Sequence, residues 1–298
     1  MPTPCATGTM PDIPPDLEEL RRRLDDLDDR LHDLLIERTE IVGQVAAQKR
    51  GGSISPYQPG REALILRRLA ARRPGRFPLA TLLRMWREML AATVRQQSPF
   101  AVAVFALDET QGFWDLARDH YGSSTPMSAH RSASQVIRAV GEDEAAVGVL
   151  PMPSPGDPDP WWRSLLSADA RTPRVIARLP FGPRGNARGD ADALVIGFAA
   201  PQETGADRTL LIVETAPDIS RARILALLAR RHLACTLFAA CEETGGALAL
   251  IELDGFIPAA DPRLAGFAAL LGQSLHRLRS LGSYPVPLAA AVCNPAKG

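Results

Sequence analysis

Arg38 and Lys49 stand eleven residues apart in the stretch LLIERTEIVGQVAAQK, Leu34 to Lys49. On a helix advancing ~100° per residue, eleven positions make three turns plus about 20°, so the two cations share a face ~16 Å apart along the axis. Two long side chains at that separation can reach inward around one small ligand. Arg61-Glu62 open a second helix-like stretch, and Thr93 and Gln97 form an i,i+4 pair on a third. Together they offer several cations, one carboxylate and two neutral hydrogen-bonding groups. A buried Arg is costly unless an anion meets it, and planar guanidinium groups pair bidentately with carboxylates. The ligand implied is a small polyanion, most readily a dicarboxylate. Taken singly, Arg38 could instead answer an acid across a helix seam, and Lys49 could be a helix-end charge lying along apolar surface. Agreement between several independent positions is what favours a ligand.

The element carrying the first two cations has a regular apolar seam. Leu17, Leu20, Leu24, Leu27, Leu31 and Leu34 step by three and four, a heptad pattern, and continuing the count lands on Arg38, Ile41 and Val45. This predicts one helix from about Asp16, an N-cap candidate after Pro14-Pro15, to about Arg50, where Gly51-Gly52 stops it. About 34 residues make a rod of ~50 Å, too long to bury its seam within a small domain unless a second copy lies beside it. Arg21 is ~42 Å from Lys49 along that rod and cannot reach the same ligand from the same helix. In an antiparallel dimer the Arg21 end of one helix lies beside the Lys49 end of the other. A second helix is expected at roughly 61–72, after SPYQPG, and a third at roughly 79–97, after Pro78.

Composition sets the outer limits. The chain has 298 residues, 46% of them hydrophobic, and a formal net charge of zero. That allows roughly two or three domains and gives no reason to expect a nucleic-acid or membrane partner. No apolar run is long enough to span a bilayer. The opening MPTPCATGTMPDIPP has neither a basic region nor an apolar core and does not read as a signal peptide; residues 1–14 are expected to form a disordered tail. The four cysteines are Cys5, Cys235, Cys241 and Cys293. Cys235 and Cys241, six apart, are expected to share one face of a strand and pack as small hydrophobes. Reduced thiols without an export signal point to the cytoplasm. The five histidines have no metal-ligand spacing, so neither a metal nor another cofactor is expected.

Beyond Pro99, which ends the helical part, strand-like and helix-like segments alternate. Apolar runs fall at 101–106, 145–150, 174–179 and 193–199, with helices near 111–121 and 132–141 and a proline-rich loop, PMPSPGDPDP, over 151–160. The next segments read β (209–214), α (218–232), β (234–240), β (246–253), α (262–276), β (277–283), an order that argues for a ferredoxin-like domain. Trp161-Trp162 are expected to cover a hydrophobic edge. The Arg-rich run 67–76 is expected to be a solvated helix end, with no interleaved aromatics to stack on bases.

The helical stretches LRRRLDDLDDRLHDLLIERTEIVGQVAAQK, PYQPGREALI and LLRMWREMLAATVRQQ resemble the all-helical class of chorismate mutases over about 80 residues. The resemblance implies a Claisen rearrangement of chorismate to prephenate, in which the enzyme holds a compact dianion and stabilises charge on the breaking ether oxygen. By that likeness Arg38 and the second copy's Arg21 would hold the two carboxylates. Lys49 and Gln97 would bond the ether oxygen. Glu62 would accept from the ring hydroxyl, supported by Arg61, and Thr93 would bond a carboxylate. Gln58 stands where the family often has an acid against that hydroxyl; Gln can still hydrogen-bond it, without charge.

Farther on, LGSYP (281–285) and AAVGVLPMPSP (145–155) are similar to segments of prephenate dehydratases, which end in an ACT regulatory domain. The family's Thr-Arg-Phe signature is replaced here by Asp192-Ala193-Leu194, and about 40 residues separate Pro151 from Asp192, too few for the usual second lobe. Dehydratase activity is therefore expected to be lost. Stretches corresponding to the family's phenylalanine site read Arg221-Ala222-Arg223-Ile224 and Ala239-Ala240-Cys241-Glu242, which makes phenylalanine feedback doubtful and leaves another small effector at the ACT-like domain open. The expected architecture is multi-domain. An all-α three-helix mutase domain (15–98), an intertwined homodimer with shared sites, is followed by a degenerate dehydratase-like α/β lobe (99–206), an ACT-like α+β domain (207–290) and a tail (291–298). Two other readings remain: a non-catalytic regulatory dimer that senses a small molecule, and an isochorismate-pyruvate lyase on the same helical frame.

Overall fold

The computed structural model describes residues 16–49, 55–72, 75–107, 112–157, 160–167, 169–185, 187–243 and 246–288. The chain divides into two compact units, Met1–Ser53 and Ile54–Gly298.

In the first unit the described residues form one helix, α1, Leu17–Lys49. The amide of Leu20 donates to the Asp16 carbonyl at 3.1 Å, closing the first turn. Glu18 and Glu19 sit in that turn, where the helix dipole favours acids. Arg21 donates to Glu18 at 2.6 Å, one i,i+3 step away, and Arg22 pairs likewise with Glu19. Leu17, Leu20, Leu24, Leu27, Leu31 and Leu34 are between 41% and 59% exposed, and Ile41 and Val45 fall in the same range. An apolar stripe this long and this open is the signature of a helix that needs a partner. The expected Gly51-Gly52 stop lies outside the described residues.

The second unit begins with α2 (Pro59–Ala71) and α3 (Leu79–Gln97). Pro59 at the first helical position suits the fixed φ of proline and starts α2 two residues before the expected Arg61. Ala63, Leu66 and Ala70 of α2 pack against Leu79 and Leu83 of α3 and against Phe181. Then come β1 (Val102–Phe105), α4 (Phe113–Tyr121), β2 (Met127–His130), α5 (Ala133–Gly141), β3 (Val147–Pro151), a 3-10 turn (Trp161–Leu166), β4 (Arg174–Leu179) and β5 (Ala193–Gly197). The last part runs β6 (Asp207–Thr215), α6 (Arg221–Arg230), β7 (Cys235–Glu243), β8 (Gly246–Asp254), α7 (Pro262–Leu271) and β9 (Leu275–Pro285), the β-α-β-β-α-β order read from the sequence.

These nine strands make one sheet, ordered β2-β1-β3-β5-β4-β9-β6-β8-β7. The expected division at 206/207 therefore corresponds to no break in the hydrogen-bonded sheet. β9 pairs antiparallel with β6 and, through Val175 opposite Gly282, parallel with β4. That junction requires glycine: Gly282 has φ +129°, and a Cβ there would lie 2.1 Å from the Val175 carbonyl oxygen. Leu194, Ile196, Leu210, Ile212, Leu250 and Leu281 belong to one core that spans both halves of the sheet. On the opposite face α4 covers Val102, Val104 and Val195 at one end, and α6 and α7 cover Val213, Ile251 and Leu253 at the other.

Three expectations need correcting. Cys235 and Cys241 do not share a face: a register shift between Leu237 and Ala239 inserts one residue, so Cys235 packs on the α6/α7 side and Cys241 on the other. Arg67 is not part of a solvated helix end. Its guanidinium donates to the Ala206 carbonyl at 2.8 Å, to the Val286 carbonyl at 2.7 Å and to the Thr204 hydroxyl at 2.8 Å, tying α2 to the entrance of β6 and the end of β9. Strand β2 and the 3-10 turn were not foreseen. Trp161 and Trp162, in that turn, are buried, and the Trp161 indole donates to the Pro151 carbonyl at 3.0 Å. Cys5 and Cys293 lie outside the described residues.

Candidate functional site

The eight residues singled out by type and spacing fall into two groups. Arg21, Arg38 and Lys49 are on α1, and its unbroken helical path keeps the last two on one face. Arg21 lies at the opposite end of this 33-residue helix, its guanidinium engaged by Glu18. Gln58, Arg61, Glu62, Thr93 and Gln97 belong to the second unit, on α2, at its cap and on α3.

Gln58 stands at the N-cap of α2 (φ −131°, ψ 87°), and its carbonyl accepts from the Glu62 amide at 3.0 Å. Its side-chain amide reaches back to the Ser55 carbonyl at 3.4 Å. Arg61 points to solvent and Glu62 inward, as consecutive helical residues ~100° apart must diverge. Thr93 is buried, its hydroxyl donating to the Leu90 carbonyl at 2.8 Å. Gln97, one turn on, donates its amide to the Thr93 carbonyl at 2.9 Å. The two therefore share the predicted edge of α3, with the Gln97 oxygen still able to accept a bond.

Glu62 has a partner that sequence reasoning missed. Arg87 on α3 donates to Glu62 Oε2 at 2.8 Å, and the two residues are only 7% and 8% exposed. The pair sits deep enough for burial to dominate both groups: desolvation raises the Glu62 carboxyl despite Arg87, and lowers the Arg87 guanidinium despite Glu62. Arg87 also lies over the Phe181 ring, 5.3 Å from its centroid. His120 is buried nearby and held well below the ordinary imidazole value, first by desolvation and then by Arg87. A signal for Arg87 was present: Leu79, Leu83, Arg87, Leu90 and Val94 form one seam, and a cation on an apolar seam is the observation that had singled out Arg38.

In the later part, Asp192 enters β5 with its carboxylate held by Arg178 at 2.8 Å and by Arg184. Ala193 and Leu194 are fully buried. A shallow cleft of ≈ 590 Å³ lies beside them, lined by Phe105, Phe113, Pro151, Ser154 and Ala191 among others. The stretch Arg221–Ile224 opens α6 behind a Ser220 cap, with Ile224 in the core, and Ala239-Ala240-Cys241 run along β7.

Residues 20–98 match the chorismate mutase type II family. The chain thus carries a chorismate mutase type II domain at this end, followed by an α/β part. It is also similar to the bifunctional chorismate mutase/prephenate dehydratase of Pseudomonas aeruginosa, 31% identical over 145 residues, which is 46% of this chain and 38% of the relative. The protein of the same description from Stutzerimonas stutzeri is 28% identical over 141 residues, with the same coverage. The matched region therefore spans well under half the length of these relatives. Among solved structures, prephenate dehydratase in complex with L-Phe from Arthrobacter aurescens aligns with a TM-score of 0.45 at 16% identity, over 64% of this chain and 94% of that one.

Proposed function

We propose that this protein is a chorismate mutase that rearranges chorismate to prephenate in phenylalanine and tyrosine biosynthesis. The observation that carries the reading is α1: its Arg38 and Lys49 share one face, on an open apolar seam, inside the segment that matches the mutase family. The reaction is pericyclic, so the residues need only bind, orient and stabilise. Arg38 and Arg21 of a second copy hold the two carboxylates through planar pairing. Lys49 and Gln97 donate to the ether oxygen as its bond to carbon breaks and negative charge grows there. Thr93 assists a carboxylate once its hydroxyl turns from the Leu90 carbonyl, and Gln58 borders the ring hydroxyl. Glu62 binds Arg87 through Oε2, which leaves Oε1 to accept from that hydroxyl. Arg87 then acts as a positioning residue that fixes the carboxylate.

The seam of α1 is the ground for a homodimer with shared sites. Its length and exposure call for a second copy, and the ~42 Å between Arg21 and Lys49 calls for one from each chain. We further assign 15–98 as the mutase domain, 99–206 as a dehydratase-like lobe without dehydratase activity, and 207–290 as an ACT-like domain, in a cytoplasmic protein. Support for the lost activity is Asp192: where the dehydratase pattern has a hydroxyl, this chain has a carboxylate already neutralised by two arginines.

The test is to incubate purified full-length protein with chorismate and identify the product by mass. Prephenate alone is the expected result. Phenylpyruvate would overturn the loss of dehydratase activity. Unchanged chorismate would overturn the mutase assignment and leave the regulatory dimer, with isochorismate as the next substrate.

A further inference from the structure

The start of α2, where Gln58 and Glu62 stand, is gripped by a residue outside the segment 20–98 that matches the mutase family. Tyr57 directly precedes the Gln58 cap. Its hydroxyl shares a hydrogen bond with that of Tyr121, the last residue of α4, at 3.2 Å. The two rings close a triangle with Phe100, with centroids 5.3, 5.6 and 5.7 Å apart. All three side chains are buried.

The far side of this grip is firmly seated. On α3, the Glu88 carboxylate accepts from the Ser123 amide at 2.9 Å, Arg95 donates to the Ser124 carbonyl at 2.8 Å, and Arg84 pairs with Asp119 of α4. Gly122 permits so close an approach: its φ is +86°, and a Cβ there would lie 2.9 Å from the Glu88 carboxylate and 3.0 Å from the Ala91 Cβ. The end of α4 and the outer face of α3 thus make one frame, and Tyr121 reaches from it to the entry of α2. Ring packing by itself tolerates some sliding, whereas a hydrogen bond weakens steeply as its partners move out of line. The hydroxyl pair is therefore the contact that sets where α2 begins. Burial foremost, with the Glu62 carboxylate adding to it, raises both phenols above their ordinary value, so both stay protonated and the bond persists. Arg87 fixes how the Glu62 carboxylate turns; the tyrosine pair fixes the helix that carries it.

Resting on the mutase reading above, we propose that Tyr121 is a positioning residue for the rearrangement. Through Tyr57 it holds the first turn of α2 so that Gln58 and Glu62 meet the ring hydroxyl of the substrate. Small displacements of such groups are costly to rate.

The test compares kcat/KM of the full-length protein on chorismate and on the analogue lacking the ring hydroxyl. The parent should prefer chorismate. In Tyr121→Phe and in Tyr57→Phe that preference should shrink by about three- to tenfold, the worth of one buried neutral hydrogen bond, with turnover of the analogue little changed. Both substitutions keep the ring packing. The double variant should match either single one, because each deletes the same bond. Tyr284→Phe removes the hydroxyl bond of another buried tyrosine, to Glu252, and should keep the parental preference, which separates positioning from simple loss of stability. Parental preference retained in both tyrosine variants, or lost equally in Tyr284→Phe, would overturn the proposal and leave the mutase reading standing. A parent that converts both substrates alike would overturn it by taking the ring hydroxyl out of the reaction. A parent that converts neither would refute the mutase reading itself, and this proposal with it.

Discussion

Two inactive variants mixed together should regain a defined fraction of activity. In the proposed site Arg21 is a carboxylate clamp and Lys49 the donor to the ether oxygen, and Arg21→Ala and Lys49→Ala remove them. The helix between them rises ~1.5 Å per residue, so 28 residues separate the two groups by ~42 Å, several times the reach of a small dianion. In the proposed dimer each site draws Arg21 from one chain and Lys49 from the other. A dimer with one chain of each kind has one site lacking both groups and one site lacking neither. Free exchange of equal amounts makes about half the dimers mixed, so about a quarter of all sites are intact and activity should return to about a quarter of the parent's. The assay is loss of chorismate absorbance after the variants are unfolded together and refolded, with each variant refolded alone as the baseline. Mass measurement of differently tagged chains establishes that exchange took place. Activity that stays at the baseline despite confirmed exchange would refute the shared site, and with it the antiparallel reading of the α1 seam.

Arg38→Ala or Lys49→Ala alone should lower kcat roughly a hundredfold or more, the usual cost of a positioned charge donor, and near-parental turnover would mean the site is elsewhere. Arg87→Met should destabilise the protein by about 3–5 kcal/mol in urea denaturation, because it strands the buried Glu62 carboxylate. Adding Glu62→Gln to that variant should recover much of the loss, and a double variant as unstable as the sum of the singles would rule out the pair as the cause. His120 is buried neutral with its pKa depressed, so below the ordinary value of 6.5 the unfolded chain takes up a proton that the folded ring refuses. Stability should then fall as pH falls from there, by up to about 1.4 kcal/mol per pH unit from this ring, and His120→Gln should flatten the slope. Parallel pH profiles for the two proteins would remove His120 from the account.

Periodic elements were legible in the sequence, and contacts between them were not. The leucine heptad places the start of α1 to within a residue, because a 3.6-residue period sustained over many turns leaves little freedom. The alternation of apolar runs with helical ones likewise gave the β6-to-β9 order. Strand β2, Met-Ser-Ala-His, is short, polar and largely exposed, so it carries no period to read. Counting by twos put both strand cysteines on one face, and a single inserted residue in β7 undid it. The cations on α1 were visible because each interrupts a regular seam, and Arg87 interrupts one just as plainly. What stayed hidden was its consequence, since nothing local says that Glu62, 25 residues earlier, would turn inward to meet it. The continuous sheet was hidden for a related reason: β4 and β9 meet across about a hundred residues of chain through one paired position.

That meeting bears on how the chain is made. β9 comes after every other described strand in synthesis, yet it lies in the interior of the sheet with β4 on one side and β6 on the other. A nascent chain that has reached Leu271 holds both flanking strands with their inner edges bare, each a template for pairing with a neighbouring polypeptide. The two half-sheets cannot close by themselves; both wait for the stretch from Leu275 to Pro285 to clear the ribosome. The last strand out acts as the keystone, and a stop codon placed just before it would release two open edges rather than a shorter version of the same fold.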